Sequence, residues 1–113
     1  MTLPLGESIY RVYGLTDEEE QRARDFLQGA VYCWCKNRPD EWFALRDLAG
    51  GENTDWHGTP LQPLYTKHLP SPDAYGSAAK DAGWLLKSVI KNDSRDFDTR
   101  KQDLVRHYRW LGS

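Results

Sequence analysis

Apolar positions recur along this chain with two different periods, and the places where the period changes divide it into elements. Steps of three and four residues put Ala23, Phe26, Leu27, Ala30, Val31 and Trp34 on one side of a helix, with Arg22, Arg24, Asp25 and Gln28 on the other. Thr16-Asp17-Glu18-Glu19 supplies the start of that helix. The threonine hydroxyl can accept from the third backbone amide, Glu19 can reach back, and the acids suit the positive helix end. The helix is predicted to run to about Lys36 and to stop in Asn37-Arg38-Pro39-Asp40, because the residue before a proline is disfavoured in helical geometry.

Residues 41–48 alternate, with Phe43, Leu45 and Asp47 against Ala44, Arg46 and Leu48, and they end in Ala49-Gly50-Gly51. The pattern fits a short strand, with one helical turn as the competing reading. A loop over 49–58 follows and carries Trp56 and His57. Thr59-Pro60 then predicts the start of a short second helix, whose apolar side is Leu61, Leu64, Tyr65 and Leu69. Pro63 is tolerated there only within the opening turn.

The turn Pro70-Ser71-Pro72-Asp73 leads through Tyr75-Gly76-Ser77 into a third helix over 77–92. Ala78, Ala82, Leu85, Leu86 and Val89 form its apolar stripe, while Lys80, Trp84, Lys87 and Lys91 repeat at the same period on a different face. Three lysines flanking a tryptophan have no use in a core, but they suit a helix that lies along a phosphate backbone. Aromatic and β-branched residues on either side of Arg100-Lys101-Gln102-Asp103 predict two antiparallel strands. Leu104, Tyr108 and Leu111 also fit a further helix beginning at Asp98 or Thr99, so residues 98–111 read either way.

Charge sharpens this picture. Residues 1–79 hold seven Lys and Arg against twelve Asp and Glu, whereas residues 80–113 hold eight against five. The net charge of −2 therefore hides a basic carboxyl-terminal third, which suggests one end that faces a polyanion and another that faces solvent or a partner. With 113 residues the chain is one domain, divided here into an arm over 1–15 and a folded unit over 16–113. The first residues lack a basic start and a long apolar run, so neither a secretion signal nor a membrane anchor is expected, and the cytoplasm is the default location.

The predicted order of helix, strand, helix, helix, strand, strand over residues 17–111 resembles the winged helix-turn-helix superfamily. The resemblance implies an α+β fold of three main helices and a small antiparallel sheet. It also implies a third helix that enters the major groove of double-stranded DNA and a wing, here around 99–104, that touches the backbone or minor groove. On this reading Lys80, Lys87, Lys91, Arg100, Lys101, Arg106 and Arg109 neutralise phosphates, and Ser77, Asp81, Trp84 and Ser88 face bases. The long turn over 70–76 and the negative net charge depart from the usual pattern. The expected function is a small DNA-binding protein, a transcriptional regulator or DNA-associated accessory factor, working as a homodimer through the arm or first helix. The alternative is a protein-interaction module whose acidic first helix and apolar arm bind a partner.

Several chemistries have little support. Asp55-Trp56-His57 could pair an acid with a base, but a loop tryptophan and histidine lying over the core explain the motif more simply. The two-residue step from Cys33 to Cys35 points the thiols to nearly opposite sides of a helix, and with His57, His68 and His107 they reproduce no metal-site spacing. No phosphate-cradling glycine loop or nucleophile elbow occurs. No enzyme activity, metal or cofactor is therefore expected.

Overall fold

A computed structural model describes residues 12–51 and 55–112 as an α+β fold of four helices and a two-stranded antiparallel sheet. Most of the arm, residues 1–11, lies outside the described residues, and with it the arm-mediated pairing expected above.

The first helix, α1 (Asp17–Asn37), begins as its sequence predicts. The Glu19 amide donates to Thr16 Oγ1 at 3.0 Å, and Glu19 Oε1 accepts from the Thr16 amide at 2.9 Å. Ala23, Leu27 and Val31 are buried, and Cys35 joins them where Trp34 had been expected to close the stripe. Cys33 is exposed and Cys35 is buried, so the two thiols do point apart.

The strand expected over 41–48 does not form. Only Phe43 pairs, as a single antiparallel bridge to Tyr108, and the next residues turn into the short helix α2 (Leu45–Leu48). Asp47 explains the difference. Its carboxylate accepts from the Ala44 amide at 2.7 Å while its own amide donates to the Ala44 carbonyl at 3.0 Å, which favours one helical turn over extension.

The second predicted helix starts later than Thr59-Pro60. Thr59 closes a turn by donating from its hydroxyl to the Trp56 carbonyl at 2.8 Å, and α3 (Gln62–Thr66) begins beyond it with Pro63 in its first turn. The third predicted helix starts earlier: α4 covers Ala74–Asn92 rather than 77–92. Tyr75 gains from that extra turn a tilted ring contact with Tyr65, with ring centroids 4.3 Å apart and planes inclined by 32°. All five residues of the predicted apolar stripe of α4 are buried, and α4 packs against α1, α2 and α3.

The carboxyl-terminal segment is a hairpin and not a further helix. Strands β1 (Phe97–Gln102) and β2 (Val105–Trp110) pair in register from Phe97 opposite Trp110 to Gln102 opposite Val105. The connection is Asp103-Leu104, both with left-handed backbones (φ 53° and 64°), so Arg100, Lys101 and Gln102 belong to a strand instead of the connector predicted for them. Positive φ at both central residues is the geometry in which a two-residue loop matches the strand twist. Phe43, Phe97 and Tyr108 are essentially inaccessible and form an aromatic seam with Trp34, joining the hairpin to the helices.

Candidate nucleic-acid interface

Side chains alternate across a hairpin, so the register sorts its cations onto two faces. Phe97 and Trp110, Thr99 and Tyr108, and Lys101 and Arg106 are opposed pairs on the face turned to the helices. Near the sheet's base that face is core, since Phe97 and Tyr108 are buried. Towards the turn the core runs out, and Lys101 and Arg106 overhang the side of α4 that bears Lys80, Trp84 and Lys87.

The space between them is a groove of about 410 Å³. Ala79, Lys80, Gly83, Trp84, Leu86 and Lys87 form its α4 wall. Lys101, Leu104, Val105, Arg106 and Tyr108 form the hairpin wall, and Leu45 and Arg46 of α2 close one end. Five cations converge here, and none of the described residues that line the groove is acidic. Apolar walls of low dielectric around charges of one sign concentrate a field and raise the local concentration of anions. Trp84 is half-buried, lying against the core while also lining the groove.

The remaining sequence-predicted residues go elsewhere. Asp81, expected to face bases, is buried between α4 and α3, where its carboxylate meets Lys67 Nζ at 2.7 Å and His68 Nε2 at 2.8 Å. Ser88, expected in the same role, is buried against α1 and accepts from Arg24 Nη1 at 2.5 Å. Ser77 is half-buried in the first turns of α4 and Lys91 is exposed near its end, and neither lines the groove.

Arg100 and Arg109 lie on the hairpin's opposite face, stacked over Trp42 at 4.1 and 4.9 Å from its ring centre. Arg109 also pairs with Asp98 at 3.2 Å and Asp40 at 3.6 Å, so acids neutralise its charge locally. Arg46 was not a predicted site residue. Its position became meaningful only when residues 45–48 turned into a helix beside α4.

Outside the groove, Trp56 is buried as expected, whereas His57 is exposed and its ring Nδ1 donates to Asp55 Oδ1 at 2.6 Å. The backbone amide of His57, and then its ring, hold the Asp55 carboxyl below its ordinary range. Among the described residues no group of three His, Cys, Asp or Glu side chains could hold a metal ion, and no helix is long and apolar enough to cross a membrane. Comparisons with protein-family models, curated proteins and solved structures returned no match.

Proposed function

We propose that this chain binds double-stranded DNA, with one phosphate backbone seated in the groove between α4 and the β1–β2 hairpin, as a small transcriptional regulator or DNA-associated accessory factor. The observation that carries the reading is the convergence of Arg46, Lys80, Lys87, Lys101 and Arg106 on one groove whose described lining holds no acid. Lysines on a helix and cations on an adjoining hairpin supply positioning contacts, and the exposed face of α4 is left to meet base edges.

The finer, winged-helix reading is part of the proposal. It is supported by Phe43 bridging Tyr108 as a one-residue third strand and by a hairpin that directly follows α4, although a helical turn at 45–48 stands where the pattern calls for a strand. A single helix reads few base pairs, so the proposed working form is a pair of copies on DNA. The protein is proposed to act by binding alone, without catalysis or a cofactor, and in the cytoplasm.

The test is a fluorescence-anisotropy titration of a labelled random duplex at low and moderate salt. Saturable binding that weakens steeply with salt is expected. Absence of saturation up to about 10⁻⁴ M, a usual limit for non-specific association, would remove the proposal.

A further inference from the structure

Leu104 stands where a leucine is unfavourable on two counts. Its backbone is left-handed at φ 64°, in a two-residue turn whose central positions are normally asparagine, aspartate or glycine, because a Cβ crowds the backbone there. Its side chain is 89 % exposed, so no burial compensates for that strain. Single exposed apolar residues are ordinary on protein surfaces, but one held in a strained backbone at the tip of a projecting hairpin is not.

Leu104 shares its turn with one exposed acid, Asp103, and the other charged side chains around it are cationic. Lys101 and Arg106 form the opposed pair nearest the turn on the groove side, Arg100 extends from the other face, and Lys80 and Lys87 line the far wall. An apolar tip flanked by cations is the arrangement with which proteins enter a base step from the minor groove: the cations hold the adjoining phosphates while the apolar group separates the stacked bases. We propose that Leu104 is a wedge that inserts into a base step of bound duplex DNA from the minor groove and kinks it. This rests on the DNA-binding reading above.

The experiment uses the full chain and a duplex of about 25 base pairs with dyes at its two ends and a flexible pyrimidine–purine step at its centre. Anisotropy reports binding, and energy transfer between the ends reports bending. Leu104→Gly and Leu104→Asn both relieve the left-handed strain, so each is expected to raise Tm by roughly 3 °C or more. Each is expected to weaken binding by about fivefold or more and to lose the energy-transfer change that accompanies a kink. Leu104→Met keeps an apolar wedge and is expected to bind and bend as the native chain does. Native-like binding and bending by the Gly and Asn variants would overturn the wedge while leaving the DNA-binding reading intact. A lower Tm in both variants would also overturn it, because the leucine would then be holding the turn. If the native chain fails to bind duplex at any salt, the DNA-binding reading fails first.

Discussion

Phe43 and Tyr108 exchange both backbone hydrogen bonds, each amide donating to the other's carbonyl at 2.8 Å. Their rings lie 5.9 Å apart, and Phe43 also meets Trp34 and Phe97. One residue of the segment joining α1 to α2 thus clamps the hairpin onto the helices and sets the angle at which its tip overhangs α4. Phe43→Ala should lower unfolding stability by about 3–5 kcal/mol, the usual cost of deleting a fully buried ring. Urea denaturation gives the stability, and faster hydrogen exchange at the Tyr108 amide would report the loosened clamp.

Lys80 and Lys101 face each other across the groove and both are exposed, so reversing their charge should leave the fold almost untouched. Lys80→Glu with Lys101→Glu is expected to abolish duplex binding while shifting Tm by no more than about 2 °C. Lys91→Glu, outside the groove, should weaken binding far less. Equal losses from the two variants in anisotropy would show that charge in general, and not the groove, drives association.

Salt offers an independent count. If three or four of the five groove cations reach phosphates, the logarithm of the binding constant should fall against that of salt concentration with a slope of about −3 to −4. Lys101→Ala alone should make that slope shallower by about 1. A slope unchanged by the substitution would remove Lys101 from the phosphate contacts.

Asp81 ties α3 to α4 through Lys67 and His68, and Lys67 Nζ also donates to the Tyr13 carbonyl. Asp81→Ala leaves a largely buried ammonium without its carboxylate, so a loss of about 2–3 kcal/mol is expected in chemical denaturation. Duplex affinity of the folded variant should stay within about twofold of native at temperatures well below its Tm, since Asp81 does not line the groove. A selective loss of binding would return Asp81 to the interface.

Burial pushes the Cys35 thiol above its ordinary range; the nearby Arg95 opposes this and Asp93 adds to it. A thiol whose folded value is raised contributes stability that is fully present below its unfolded value and is lost as pH rises through the folded one. Native stability should therefore decline above about pH 8.5, where an unfolded cysteine begins to ionise. Cys35→Ala should flatten that decline in denaturation curves taken from pH 7 to 10. Iodoacetamide should label exposed Cys33 well before Cys35.

The long elements were legible because each carries its own local signal. In α1 a capping box precedes an apolar stripe, and in α4 all five predicted apolar residues are buried, along with Ala74, Asp81, Ser88 and Ile90. Residues 41–48 were not legible, since their alternation suits any half-buried segment and the outcome turns on Asp47 capping its own short helix. The site divides along the same line. Helical period grouped Lys80, Trp84, Lys87 and Lys91, of which the first three line the groove and Lys91 does not, because the period gives only an angle around the axis. It could not reveal that α3 and α1 occupy the angles of Asp81 and Ser88, nor that the hairpin register sends Arg100 and Arg109 to Trp42.

The tight connection at Asp103-Leu104 has an effect that reaches the whole sheet. Strand pairing leaves no slack, so lengthening that connection by one residue and slipping β2 against β1 would turn its side chains over: Arg109 would swing toward the helices and Tyr108 out into water. The turn is in this sense a phase lock, keeping grease and charge on their proper sides of a ribbon too narrow to correct itself.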